Sequence, residues 1–238
     1  MHPAHTDDQR THAPPKAIGM MTLYGAMASR AHRVVWMLKE CGLTFNHVQT
    51  PFLDGSTRKP EFLALNPNGR VPVLDDDGFV LFESLAINLY LAKNYGGDLA
   101  ARTAQEEALA LQWGFWVMGE VEKPLLFASA NRALFAEGFR DEEQALMAIA
   151  KLDRPFKVLD AHLASRAYVL GQRFTVADLN IATVMDLAPQ CGIALDAWPH
   201  LKEWHERCLA RPAAADWQSV QFSIPRPPTG LGLLKMFV

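Results

Sequence analysis

Three short stretches of this 238-residue chain combine residue types and spacing suited to chemistry. Ser29 ends the small-residue loop 25–29, four positions before Arg33, where a helical pattern is under way. A serine there reads first as a helix cap. The same hydroxyl, pointed at a bound thiol with helix amides behind it, would stabilise a thiolate. Glu83-Ser84 opens another helical pattern, where a carboxylate and free amides meet the positive end of the helix dipole. That pair reads either as plain capping or as an amino-acid clamp, with the Ser84 amide and hydroxyl on a carboxylate and Glu83 near an ammonium. Val71-Pro72 begins an apolar strand, and proline is tolerated in a strand at its first residue or on an edge. A cis bond there would turn the chain and leave the Val71 backbone groups for an extended peptide ligand. Only about 5–6% of X-Pro bonds in folded proteins are cis, so these two residues alone favour trans.

Other candidates carry less. Thr175 and Asp178 are spaced as a capping box, worth about 1 kcal/mol and no chemistry. Trp113, Phe115, Trp116 and Met118 are dense for one helical stretch, as a core cluster or as an apolar pocket wall. His200, His205 and Cys208 share a helical stretch, but at most two of them share a face, where zinc needs at least three protein ligands. No metal site is read. The sequence has no GxSxG, HExxH, Walker loop or GxGxxG, so serine hydrolase, zincin, P-loop and Rossmann readings lack their necessary residues.

The elements that must hold these residues follow from periodicity and punctuation. Residues 22–24 form a strand, the stretch after the loop 25–29 and through Cys41 a helix stopped by Gly42, 45–49 a strand, and 59–65 a short helix broken by Asn66-Pro67-Asn68-Gly69. Residues 71–74 and 79–82 are apolar runs around the turn composition Asp75-Asp76-Asp77-Gly78, a hairpin. A helix over 83–95 ends at Gly96-Gly97. Beyond it strand patterns disappear, and helices are expected over 105–132, 141–166, 176–190 and 200–211, the first two kinked or divided by Pro124 and Pro155. The expected organisation is a leader over 1–19, a β-α-β-α-β-β-α domain over 20–96, a linker over 97–103, an all-helical domain over 104–216 and an extended tail over 217–238. Met20-Met21 precedes the first strand and is a possible alternative start.

Composition removes several classes. Lys+Arg 23 against Asp+Glu 26 leaves a net charge of −3, without the positive field that binding a phosphate backbone requires. No apolar run approaches the roughly 18 residues of a membrane span, and residues 1–19 lack the apolar core of a secretory signal. The 3 cysteines are widely spaced, which suits a reducing, cytoplasmic setting.

Taken together, Leu23-Tyr24-Gly25 with Ser29 through Val34, the run from Pro60 to Leu74, and Phe82 through Ile87 resemble the glutathione S-transferase family, of a bacterial-like, serine-type kind. The capping box and Trp198-Pro199 match its second domain, and the resemblance spans about 21–211. It implies a thioredoxin-like domain followed by an all-helical one, with glutathione as co-substrate, no metal, and a homodimer. Val71 before a cis-Pro72 would meet the cysteinyl backbone of glutathione, Glu83 and Ser84 its γ-glutamyl end, and Arg58, Lys59 and Arg70 would add polar contacts. Ser29 matches the catalytic hydroxyl. Tyr24 lies one position early for a tyrosine-type residue, and no cysteine lies between Gly25 and Arg30. Met27, Trp113 and Trp116 are expected to line the pocket of a small hydrophobic electrophile. Alternatives on the same scaffold are a glutathione-dependent lyase, dehalogenase or disulfide reductase, and a non-catalytic binding protein.

Overall fold

The computed structural model describes residues 20–190 and 192–214. The leader and the tail expected above, like Cys191, lie outside the described residues. Four strands, β1 (Met21–Tyr24), β2 (Phe45–Val48), β3 (Val73–Asp76) and β4 (Phe79–Phe82), form one sheet in the order β2-β1-β3-β4. β1 pairs with β2 in parallel and with β3 antiparallel, and β3 pairs with β4 antiparallel. The parallel pair needs a crossover, supplied by α1 (Ala31–Glu40).

Val34, Trp36, Met37 and Leu38 of α1 have no exposed surface, and Val35 and Arg33 are also buried. A helix buried on nearly every side lies inside a structure rather than on it: α1 packs on α3 (Ser84–Tyr95) and on α8 (Val176–Met185) of the helical half. It stops in a Schellman motif. Leu43 N donates to Leu38 O and Gly42 N to Lys39 O, with Gly42 at φ +65°, a conformation that favours glycine. α2 (Pro60–Leu65) completes the first half.

The hairpin departs from its expected bounds. β3 starts at Val73, two residues late, and runs through Asp75 and Asp76, so the turn is only Asp77-Gly78, both at positive φ. Such two-residue turns match the strand twist. Asp76 fits inside the strand because its buried carboxylate accepts from the hydroxyls of Tyr90 (2.5 Å) and Tyr95 (2.7 Å).

The helical half contains α4 (Ala104–Trp116), α5 (Lys123–Ser129), α6 (Glu142–Ala150), α7 (Asp153–Leu163), α8, the short α9 (Leu187–Gln190) and α10 (Pro199–Leu209). The expected 105–132 helix is divided into α-helical and π-helical stretches, with the first change of type at Val117, ahead of Pro124. Two π-helical segments, Val117–Glu122 and Ala130–Leu134, flank α5, and Pro124 sits in its first turn, just past the widened one. The 141–166 helix is divided instead at Lys151-Leu152, which puts Pro155 in the first turn of α7, where its missing N–H is no loss.

Every residue of α8 is buried. Its start carries the capping box, and Asp178 also accepts from Val169 N (2.7 Å) and Trp204 Nε1 (2.9 Å). Asn88 of α3 donates to Asn180 of α8 (2.8 Å), and Arg211 makes two bonds to Glu40 of α1 (2.6 and 2.7 Å). These contacts fix the two halves against each other.

Candidate functional site

A cleft of about 350 Å³ lies between the sheet domain and the π-helical segment of the helical domain. Its sheet-side wall is set by the loop 66–70. Asn66 is buried, accepts from Asn68 N (3.0 Å) and donates to Arg70 O (2.7 Å), which closes the loop on itself. Gly69 has φ +61°, and a β-carbon there would stand 2.8 Å from Thr57 O, so only glycine fits. The loop delivers Val71-Pro72, whose peptide bond is cis, to the cleft ahead of β3. From the other side Gly25 presses close. A β-carbon on it would lie 2.7 Å from that of Ala31 and 3.3 Å from that of Val71, so the β1–α1 loop and the Val71 turn touch.

Glu83 and Ser84 enter the same cleft. Glu83 has φ +74°, a region that costs a non-glycine residue about 1–3 kcal/mol and persists where function or packing demands it. Ser84 is buried as the first residue of α3, and no side chain caps the helix start. The first amides of α3 are therefore available to an anion, with the helix dipole behind them.

The helical wall contributes Met118, Gly119, Glu122 and Lys123. Glu122 is buried and receives both Nε (2.8 Å) and Nη2 (3.2 Å) of Arg30, plus Nη2 of Arg33 (2.7 Å). Burial alone would raise the Glu122 carboxyl, but the Arg33 and Arg30 guanidiniums outweigh it and hold the group down to about 2. The pair crosses the domain boundary and joins the start of α1 to the π-helical segment. Two arginines on one carboxylate leave a net positive charge beside the cleft.

The cleft brings together Arg70, Val71, Pro72, Glu83 and Ser84 of the expected residues. It does not include Arg58 or Lys59: Arg58 Nη1 donates to Asn68 O (3.2 Å) and braces the loop, and Lys59 is the exposed N-cap of α2. Ser29 is half-buried in the turn ahead of α1. Its hydroxyl donates to Ala26 O (2.6 Å) and accepts from Ala31 N (3.2 Å). The expected apolar pocket residues lie elsewhere. Trp113 is buried against Trp116 (centroids 4.9 Å apart) and His162 (4.6 Å), while Trp116 and Met27 pack on the core. Met118, Gly119 and Glu122 of the π-helical segment line the cleft, and Met27, Trp113 and Trp116 are not among its lining residues.

Arg30, Glu122 and Lys123 are charged cleft residues that sequence reasoning missed, while Met118 lines the cleft as one member of the apolar cluster read above. The one available signal was a pair of arginines, Arg30 and Arg33, at the head of an otherwise apolar helix, since a charge buried there requires a partner. Among the described residues no group of three or more His, Cys, Asp or Glu side chains is placed to hold a metal ion, and no helix is long and apolar enough to cross a membrane.

Two family matches cover most of the chain: residues 19–93 match the glutathione S-transferase N-terminal domain, and residues 108–212 the glutathione S-transferase C-terminal domain. Glutathione S-transferase 3 of Zea mays is 37% identical over 224 residues, covering 87% of this chain and 96% of that protein. The disulfide-bond oxidoreductase YfcG of Escherichia coli is 31% identical, covering 82% and 92%. Among solved structures, a theta class glutathione S-transferase from Xanthomonas axonopodis pv. citri with glutathione bound is 27% identical. It superposes with a TM-score of 0.79 over 85% of this chain and 99% of that one.

Proposed function

The chain belongs to the glutathione S-transferase family and is a glutathione transferase, and from that premise we propose that it is a serine-type, bacterial-like member in which Ser29 activates the thiol for attack on a small hydrophobic electrophile. The observation that carries this reading is the meeting of Val71-Pro72 and Glu83-Ser84 in one cleft beside the start of α1. There the Val71 backbone pairs with the cysteinyl backbone of glutathione. The Ser84 hydroxyl and the first amides of α3 take the γ-glutamyl carboxylate, and Glu83 takes its ammonium. Arg70 adds a cation from the loop. The sulfur then lies toward α1, and Ser29 reaches it by turning its hydroxyl away from the Ala26 carbonyl, a tightening that active sites commonly undergo only when substrate is bound. A free thiol is only a few per cent ionised at neutral pH, and each unit by which its pKa falls needs about 1.36 kcal/mol of preference for the thiolate. One charge-assisted hydrogen bond plus a helix N-terminus supplies that. The protein acts in the cytoplasm, where the thiols of Cys41, Cys208 and glutathione stay reduced. Cell fractionation that recovered it from an oxidising compartment would contradict that assignment.

One pair of variants tests the site. In calorimetry the combined Glu83→Gln and Ser84→Ala protein should lose glutathione affinity by roughly a hundredfold or more, since two contacts to charged groups go. Ser29→Ala should bind within a few-fold of the unaltered protein while its bound thiol titrates about one to two units higher. Unchanged affinity in the first variant, or superimposable thiolate titrations in the second, would refute the assignment of those residues.

The protein also functions as a homodimer in this reading. Leu111 and Phe115, one turn apart on α4, are 42% and 77% exposed, an apolar surface that a partner chain would cover. Light scattering at micromolar concentration should return two chain masses. A single chain mass would rule the dimer out.

A further inference from the structure

The loop that carries Ser29 is fastened to the sheet by a side chain outside the cleft. Past the end of β1 the chain runs on beside β2 and the residues that follow it: Gly25 N donates to Val48 O (3.0 Å) and Ala26 N to Thr50 O (3.2 Å). His47 of β2 adds a third tie, its Nε2 standing 2.7 Å from Gly25 O. A carbonyl oxygen only accepts, so Nε2 carries the proton. Nδ1 of the neutral ring is then the acceptor, and the Gln49 side-chain amide donates to it (3.3 Å). The peptide unit joining Gly25 to Ala26 is thus held on both sides, its carbonyl by His47 and its N–H by Thr50.

That peptide unit sits at a crowded point. Gly25 has φ +148°, and a β-carbon on it would press on Ala31 and Val71. Ala26 O accepts from both the amide (2.9 Å) and the hydroxyl (2.6 Å) of Ser29. A shift of the Gly25–Ala26 peptide therefore carries Ser29 with it on one side and moves against the Val71 turn on the other. Phe45 and His47 share the inward face of β2, their rings 6.1 Å apart, and Phe45 packs on the core. An apolar residue at 47 would serve that packing, but only a donor reaches Gly25 O.

We propose that His47 is a positioning residue for thiol activation: it holds the Gly25 carbonyl and so fixes the β1–α1 loop where Ser29 reaches the sulfur of glutathione. The inference rests on the Ser29 reading above. His47 is not among the residues lining the cleft, so it acts through the loop and touches neither the tripeptide nor the sulfur. Its contribution is preorganisation, since a loop already held has less freedom to lose when substrate binds.

The experiment is thiolate absorbance against pH for glutathione bound to the full chain, with affinity followed by calorimetry. The proteins compared are the unaltered chain, His47→Gln, His47→Asn, His47→Leu, Ser29→Ala, and Ser29→Ala combined with His47→Leu. A glutamine places its amide nitrogen where Nε2 stood, an asparagine reaches only as far as Nδ1, and a leucine fills the inward face without a donor. His47→Asn and His47→Leu should bind glutathione within a few-fold, with the thiol titrating about half a unit to one unit higher and the thiolate fraction below that pKa about three- to tenfold lower. His47→Gln should return the unaltered curve. Combined with Ser29→Ala, His47→Leu should move the curve no further, because the hydroxyl it places is already gone. A strand that had merely lost stability would show its effect in both backgrounds. Asn and Leu each decide the matter alone should the other fail to fold, as judged by near-ultraviolet circular dichroism. Unshifted Asn and Leu curves beside a shifted Ser29→Ala curve would overturn the role of His47 and leave the Ser29 reading standing. A shift that adds to that of Ser29→Ala, or a Gln curve displaced as far as the Leu curve, would also overturn it. An unshifted Ser29→Ala curve, or no glutathione binding by the unaltered protein, would overturn both.

Discussion

Glu122→Gln is expected to lower folding stability by about 3–5 kcal/mol, the range for removing one partner of a buried ion pair. The cost comes less from the lost attraction than from what remains. Arg33 has 1% of its surface exposed, and its Nε and Nη1 already have no partner, so Nη2 and Glu122 are its compensation inside the protein. A glutamine keeps the shape but offers no charge. The same pair gives a signed pH dependence. The Glu122 carboxyl titrates near 4.5 when unperturbed and near 2 in the folded protein, so its contribution is fully present above about pH 4.5 and is lost as the pH falls toward 2. Denaturant unfolding at neutral and acid pH checks both parts. The unaltered protein should lose this increment across that window, and Glu122→Gln should lack it from the start. A neutral-pH difference below about 1 kcal/mol would mean that the Arg33 charge is compensated elsewhere, with Glu83 the nearest candidate.

That ion pair also marks the limit of what the sequence made legible. The order of strands and helices along the chain, the existence of the β3–β4 hairpin, the Gly42 helix stop and the Thr175–Asp178 capping box depend on residues a few positions apart, where period and punctuation carry the information. The Val71-Pro72 and Glu83-Ser84 pairs were ambiguous by themselves and became informative through their order and spacing along the chain. Arg30 and Arg33 meet Glu122 across 92 and 89 positions, and no local pattern encodes that meeting. The π-helical segment over Val117–Glu122, from which Met118 and Glu122 line the cleft, is a second feature without a local pattern. Nothing in Val-Met-Gly-Glu-Val-Glu announces a widened turn. Arg58 shows the converse case: a basic residue expected to contact glutathione donates to Asn68 O and braces the loop that delivers Val71-Pro72 to the cleft.

The second large effect is expected at Asp178, which lies far from any chemistry. Its Oδ1 accepts from Val169 N (2.7 Å) and Trp204 Nε1 (2.9 Å), and its Oδ2 from the amide and hydroxyl of Thr175 (both 2.9 Å). The residue therefore caps α8, ties down the chain segment before it and anchors α10 through Trp204. Asp178→Ala strands two buried donors, each costing about 1–3 kcal/mol, and removes a cap worth about 1 kcal/mol. A loss of about 4 kcal/mol or more should follow, at the extreme end for a single substitution. Asp178→Asn keeps one acceptor oxygen and should lose clearly less. The consequence reaches the site, because α8 is the surface on which both α1 and α3 rest, and these two helices set the positions of Arg30 and Ser84. Denaturant unfolding followed through tryptophan fluorescence, with glutathione calorimetry on whatever folded fraction remains, separates the two effects. Asp178→Ala protein as stable as the Asn variant would mean that Val169 and Trp204 find other acceptors, and that the start of α8 does not hold the helical half together.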